Sequence, residues 1–207
     1  MDAWANWPQR GRKRGLPIVA ISFHWDGSRV CPEAGTAWPY YRDALPALAR
    51  AYPLLGHGHP KIIDKLATEY ERLGIEVVWD FEEVLERADL YVNDCSSTLY
   101  EFAALDKPVV VLNAPWFRRD VDYGLRFWTY ADVGVEVNEP GDLIAAVEEA
   151  WEDAPERQRR RREISAVLYP NWGHASSVAV QGILSHCEEM ATHPRTRERP
   201  AAWRGWG

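Results

Sequence analysis

Asn93-Asp94-Cys95-Ser96-Ser97-Thr98 is a run of short polar side chains between two apolar stretches, "ADLYV" before it and "LYEFAALDKPVVVL" after it. Hydroxyls placed where a buried strand hands over to a helix can do two kinds of work. They can cap the helix by accepting one of its free N–H groups. Together with the unpaired N–H groups and partial positive charge of the helix start, they can also cradle a phosphate without a lysine. Capping needs one such residue, and Ser96, Ser97 and Thr98 supply three; the pattern by itself leaves both readings open. Glu101 follows Ser97 by one helical turn and shares its face, with an exposed helix glutamate as the ordinary alternative. His59 ends a short apolar segment, "YPLLGHGH", and precedes Pro60. A histidine there can bond a phosphate or stabilise a leaving group that gains charge, or it can simply cap a neighbouring strand. His24 and Trp25 follow the first apolar run; Trp25 can stack on a base or sugar ring, or form part of the core. Arg118 lies in the aromatic stretch "NAPWFRRDVDYGLRFW" and has the shape for a bidentate grip on a diphosphate; a lid or a partner surface is equally open. The spacing of His57 and His59 suits a metal, but no cysteine or third histidine lies near, so no metal or other cofactor is expected.

The elements that must carry these residues alternate. "LPIVAISF" (16–23) is a continuous apolar run of the kind that forms a strand buried on both faces. Strands are predicted at 52–56, 75–79, 89–93 and 108–113, with a last short one at 133–137. The helices between them fall at 36–52, interrupted by Pro39 and Pro46, then at 60–74, 80–88 and 96–106. Thr36 is an expected N-cap, Gly74 a helix terminator, and Asp80 with Glu83 a capping-box-like pair. Helices at 139–153, 155–168 and 173–191 close the chain. Repeated strand–helix units at this spacing predict an α/β fold, a single doubly wound, Rossmann-like parallel sheet. In such sheets ligands bind outside the carboxyl ends of the strands, where both Ser96 and His59 would stand. The arginine-rich run at 157–163 reads as a solvated helix face paired with Glu152, Glu156 and Glu163, in preference to a nucleic-acid surface.

The 207 residues suffice for one sizeable core, with 46% hydrophobic and 27% charged residues. A net charge of −7 argues against nucleic-acid binding. No apolar run reaches the roughly 20 residues a membrane span needs. The start of the chain lacks the apolar core of a signal peptide. Three widely spaced cysteines, Cys31, Cys95 and Cys187, point to reduced thiols and a cytoplasmic protein. Residues 1–16 and 193–207 read as flexible tails around a domain at 17–192. There is no GxGxxG, GxxxxGK[ST] or GxSxG, which argues against dinucleotide oxidoreductases, P-loop kinases and α/β-hydrolases.

"ADLYVNDCSSTLYEFAALDKPVVVLNAP" resembles the aspartate–paired-serine–Lys-Pro signature of CDP-glycerol glycerophosphotransferases and related GT-B glycosyltransferases. Ser96 and Ser97 stand where that family's paired serines contact the donor diphosphate, and Cys95 stands in place of its usual aromatic. "LLGHGHPKI" matches the family's strand and His-Pro pair, with His57 where a basic residue often stands; "GHASSVAV" (173–180) is a weaker match to the start of its last helix. The resemblance covers about residues 17–190. It implies the donor-binding half of a GT-B fold. The ligand would be a nucleotide-diphosphate sugar or polyol, bound through Ser96, Ser97, Thr98 and His59. His24 and Trp25 would stand beside it, Glu101 would reach a ribose or sugar hydroxyl, and His59 would act in transfer of a glycosyl or glycerol-phosphate group. A GT-B enzyme has two such halves, and this chain has room for one. The acceptor half is therefore expected from a second copy or a separate protein, docked on an open face bearing Trp25, Trp116, Phe117 and Trp128. A non-catalytic nucleotide-sugar-binding module is the alternative; a nucleotide-sugar epimerase or hydrolase shares the fold.

Overall fold

The computed structural model describes residues 15–29, 35–119 and 126–192. Most of both expected tails, Cys31 and part of the aromatic stretch after residue 119 lie outside the described residues. The described residues divide into two compact units, one within residues 15–170 and one at 171–192. The described part of the second unit, Asn171–Thr192, contains one helix, Ala175–Thr192.

The first unit is a six-stranded parallel sheet. Its strands are β1 (Val19–Ser22), β2 (Leu54–Gly56), β3 (Glu76–Val77), β4 (Leu90–Asn93), β5 (Val109–Leu112) and β6 (Val135–Val137), in the spatial order β3-β2-β1-β4-β5-β6. Every residue of β1, β4 and β5 is buried. That is why these segments read as unbroken apolar runs: a central strand of a parallel sheet meets helices on both faces. The expected sixth strand belongs to the same sheet, in register with β5.

Helices α1 (Trp38–Tyr41) and α2 (Leu45–Ala51) join β1 to β2, separated by the 3₁₀ turn Arg42–Ala44. Pro39 and Pro46 each sit in the first turn of their own helix, where a missing N–H costs nothing, so they start helices and do not break one. Then follow α3 (Ile63–Arg72), α4 (Phe81–Arg87), α5 (Thr98–Ala103), α6 (Leu143–Glu152) and α7 (Pro155–Leu168), with α8 (Ala175–Thr192) in the second unit. The strand order reverses direction at β1. With a single crossover hand, the β1–β3 connections lie on one face and the β3–β6 connections on the other. The sheet is thus doubly wound. Phe81 of α4 and Phe102 of α5 both meet the Tyr91 ring on the second face. On the first face α6 returns against β4, β5, β6 and α2.

Some local details differ from expectation. Gly74 does terminate α3, at φ +71, a conformation in which a side chain is strained. Thr36 does serve the start of α1, its hydroxyl accepting the Trp38 N–H at 3.2 Å. Asp80 is the N-cap of α4 but makes no side-chain cap bond, Glu83 turns to Arg87 four residues on, and no capping box forms. The arginine run is not simply solvated. Arg161 is 2% exposed and held by Asp106 and Asp153, themselves in left-handed backbone at the ends of α5 and α6. Arg160 pairs with Asp132, Arg162 with Asp106 and Arg157 with Glu149. The run is a docking device for α7.

Candidate functional site

Parallel strands bring all their carboxyl ends to one edge, and the residues just beyond those ends form the site. Ser22 of β1 registers with Asn93 of β4, and Ile21 with Gly56 of β2. The β1–β2 ladder runs on past the strands: the His57 N–H donates to Ile21 O (2.8 Å) and the His59 N–H to Phe23 O (3.1 Å). This extension sets His59 beside His24. Their rings meet edge-on with centroids 5.2 Å apart, and the Trp25 ring lies 6.0 Å from His59. Lys61 Nζ sits 3.5 Å from the centre of the Trp25 ring.

The hydrogen bonds assign opposite tautomers to the two histidines. His24 Nδ1 bonds the Trp25 carbonyl at 2.8 Å; a carbonyl only accepts, so Nδ1 carries the hydrogen and neutral Nε2 keeps a lone pair. His59 Nδ1 accepts the Lys61 N–H at 3.1 Å, so its hydrogen sits on Nε2. Burial holds both rings below the usual histidine range, and Lys61 pushes each further down; His24 does the same to His59. Both are therefore neutral near pH 7. His57 is a different case: it is buried, donates Nδ1–H to Val78 O (2.9 Å) and stacks near Phe81, which makes it part of the core. Among the described residues no three His, Cys, Asp or Glu side chains converge in a way that could hold a metal.

Asp94, fully buried, organises the edge. Its Oδ1 accepts the His24 N–H at 2.8 Å and its Oδ2 the Ala37 N–H at 2.9 Å. One carboxylate thereby fixes the β1 exit, the β4 exit and the start of α1. Desolvation raises its pKa to about 6, against the pull of these N–H donors.

The serine turn follows directly. Asn93 Nδ2 donates to Tyr91 OH (2.7 Å), Tyr91 OH meets Thr98 Oγ1 (3.1 Å), and Thr98 donates to Ser96 Oγ (2.9 Å). In this relay Ser96 Oγ accepts, which leaves its own hydrogen to donate outward. Thr98 spends its hydroxyl on positioning Ser96. Ser97 is exposed and its hydroxyl has no partner among the described residues. No side-chain oxygen caps α5. Glu101, one turn on, is half-buried without a hydrogen bond or ion pair among the described residues, and burial raises its pKa.

The structure thus gathers His24, Trp25 and His59 by direct ring contact, and links them through Asp94 to Ser96, Ser97 and Thr98. Arg118 is exposed beyond β5 and unpaired among the described residues, and β4 separates that strand from β1. Its neighbour Arg119 is taken up by Glu136 and the Trp128 ring. An open cleft of about 300 Å³ lies between the β1 exit and the segment after β5, lined by Asp26, Ser28, Gly35, Thr36, Pro39 and Trp116. Trp116 is exposed there and bridges to Thr36 O (3.1 Å). Phe117 and Trp128, expected on an open face, are instead buried: they stack on each other, centroids 5.2 Å apart, and Arg119 covers the Trp128 ring. Sequence reasoning missed Lys61, Tyr91 and Asn93. A basic residue two positions after His59 was a visible signal. The Tyr91–Asn93 relay had none, since a polar tip on a buried strand looks like core.

A family model described as CDP-Glycerol:Poly(glycerophosphate) glycerophosphotransferase matches residues 44–184, about two thirds of the chain. No curated protein matches significantly. Among solved structures, the chain is similar to UDP-GlcNAc 2-epimerase from Neisseria meningitidis bound to UDP-GlcNAc, at 18% identity over 84% of this chain and 45% of that one, TM-score 0.50. It is also similar to a structure described as a UDP-N-acetylglucosamine 2-epimerase from Listeria monocytogenes, at 14% identity over 91% and 52%, TM-score 0.52. The wall teichoic acid polymerase TagF matches at 19% identity over 87% and 46%, TM-score 0.45. The chain spans about half the length of these structures. At such identities the two epimerase likenesses show the fold, a Rossmann-like half of the GT-B kind. The family model reaches from α2 through the His59 and Ser96 segments into α8, and on that match the chain belongs to the CDP-glycerol:poly(glycerophosphate) glycerophosphotransferase family.

Proposed function

We propose that this domain binds a nucleotide-diphosphate sugar or polyol and presents it for transfer of a glycosyl or glycerol-phosphate group. The supporting observation is the convergence at one sheet edge of His24, Trp25 and His59 with the serine turn, all built around buried Asp94. Free donors gather there: Ser96 O–H, Ser97 O–H, His59 Nε2–H and the Lys61 ammonium. Such an array suits a diphosphate, whose oxygens only accept. In the transfer step the nucleotide leaves with added negative charge, and a neutral histidine N–H at that point stabilises it without a prior proton transfer. His59 takes this role. Glu101, one turn into α5, reads a ribose or polyol hydroxyl. Arg118 grips the diphosphate from the β5 side. No metal or other cofactor takes part.

The acceptor-binding half comes from outside these residues, through a second copy or another protein, and Trp116 at the cleft belongs to the docking face. A donor-binding module without turnover is the other reading. A thermal-shift panel of CDP-glycerol and nucleotide-diphosphate sugars tests donor binding. A ligand at 100 times its dissociation constant should stabilise the fold by about 2.7 kcal/mol. If no nucleotide-linked donor raises the melting temperature, donor binding is wrong.

A further inference from the structure

The His24–His59–Lys61 cluster contains more than hydrogen-bond donors: it contains one free base among them. Among the described residues neither ring bonds a carboxylate. The acids that face the cluster are already engaged. Asp94, from the end of β4, is occupied by the His24 and Ala37 N–H groups, and Asp26, on the β1 exit, accepts the Ser28 N–H. The β2 exit contributes Lys61, and the serine turn contributes only hydroxyls. Three groups able to carry positive charge therefore lie together, and among the described residues none of their side chains forms an ion pair.

We propose that His24, His59 and Lys61 form a proton-coupled phosphoryl site, in which His59 Nε2–H and the Lys61 ammonium donate to the anion and His24 Nε2 takes one proton from solvent as the anion binds. The proposal rests on the donor-binding reading above and adds the division of labour within it. The hydrogen bonds decide which ring takes the proton. Protonating His24 at Nε2 breaks nothing, since Nδ1–H keeps its bond to Trp25 O. Protonating His59 would place a hydrogen on Nδ1, directly against the Lys61 N–H, and forfeit that bond. A bound phosphoryl group cancels the repulsion between Lys61 and a charged His24, so anion and proton favour each other. By the same cycle, the anion binds more tightly to the protonated protein. The Trp25 ring keeps the Lys61 ammonium beside the site while it is empty.

The test is ¹⁵N NMR of the full chain with labelled imidazoles, titrated from acid to mildly alkaline pH with and without inorganic pyrophosphate. Resonances are assigned with His24→Gln and His59→Gln. Without ligand, His24 should show the Nδ1–H tautomer and His59 the Nε2–H tautomer. Saturating pyrophosphate should raise the His24 pKa by about one pH unit, equivalent to about tenfold tighter binding to the protonated form, while buried His57 does not move. Lys61→Met should raise the His24 pKa in the free protein and weaken pyrophosphate. An unmoved His24, a proton arriving on His59 instead, or no binding of pyrophosphate would each overturn the proposal. If nucleotide-linked donors stabilise the fold but His24 stays put, the coupling falls and donor binding stands. If pyrophosphate shifts His24 but no nucleotide-linked donor stabilises the fold, the anion site stands and the donor reading falls.

Discussion

At the scale of single residues, the edge depends on two kinds of group that respond differently to substitution. Ser96 Oγ accepts from Thr98, which leaves its own hydrogen to donate, and the Ser97 side chain makes no cap bond to α5. Changing each to alanine should weaken pyrophosphate or CDP-glycerol binding by roughly 1.5–3 kcal/mol, the worth of a hydrogen bond to a charged group. Stability in urea should change little, and a large loss there would make the serines structural. Asp94 is the opposite case. Asp94→Asn sets an amide nitrogen, which can only donate, among backbone N–H groups, and should cost about 1–3 kcal/mol in urea unfolding at pH 7. The cost has a pH dependence whose sign follows from burial. Asp94 holds its proton up to about pH 6 in the fold but only to the ordinary carboxylate range when unfolded. Its contribution is thus full below about pH 4 and declines as pH rises through about 6. The stability gap between wild type and Asp94→Asn should shrink from pH 4.5 to pH 7; a gap that widens would mean that the carboxylate is ionised throughout.

At the scale of elements, the site is held by contacts remote from it. A Cβ on Gly56 would stand 2.4 Å from the Tyr70 ring. Tyr70 is fully buried and its hydroxyl donates to His57 O (3.0 Å). Gly56→Ala should therefore push α3 off β2, cost about 1–3 kcal/mol as an overpacked core does, and disturb the His59 loop. Unfolding in urea and the His59 resonances report the two effects separately. On the other side, Arg161→Ala would remove the guanidinium that Asp153, which is 5% exposed, and Asp106 share, leaving Asp106 with Arg162 alone of its two arginines. Loss of one member of a buried pair costs about 3–5 kcal/mol. Arg159→Ala, an exposed pair with Glu163, should stay within about 1 kcal/mol. Similar losses for both arginines would contradict the docking role of α7.

At the scale of the whole molecule, one Rossmann-like half presents its carboxyl edge and the cleft beneath Trp116. On the donor-binding reading, one half working without a second wall to exclude water and hold an acceptor binds its donor better than it turns it over. The purified chain should therefore show donor-induced stabilisation with slow turnover, and light scattering should find it self-associated, or made so by a partner protein. A strict monomer that transfers briskly would show that one half suffices. Among the described residues no helix is long and apolar enough to cross a membrane.

The sequence by itself determined the sheet. Apolar runs at strand spacing, helices between them and a turn signal at Gly74 are local patterns, and a doubly wound parallel sheet is what they can close into. It also marked Ser96 and His59 as residues of one edge, because parallel strands must put their carboxyl ends together. What it left open was set by contacts distant in sequence. The His24–His59 ring pair exists because the β1–β2 ladder continues past the strands to the bond between His59 N–H and Phe23 O. The choice of tautomers comes from backbone partners that no periodicity reports. From the sequence Asp94 ends its strand and orients the serine loop, and only its bonds to His24 and Ala37 show that it also holds the β1 exit and the start of α1. Arg161 reads as one more charge on a solvated run until Asp106 and Asp153 close over it. Phe117 and Trp128 read as an exposed aromatic face until stacking on each other buries them. In each case the deciding partner lies outside the window that fixes secondary structure, and only the closed sheet brings it within reach.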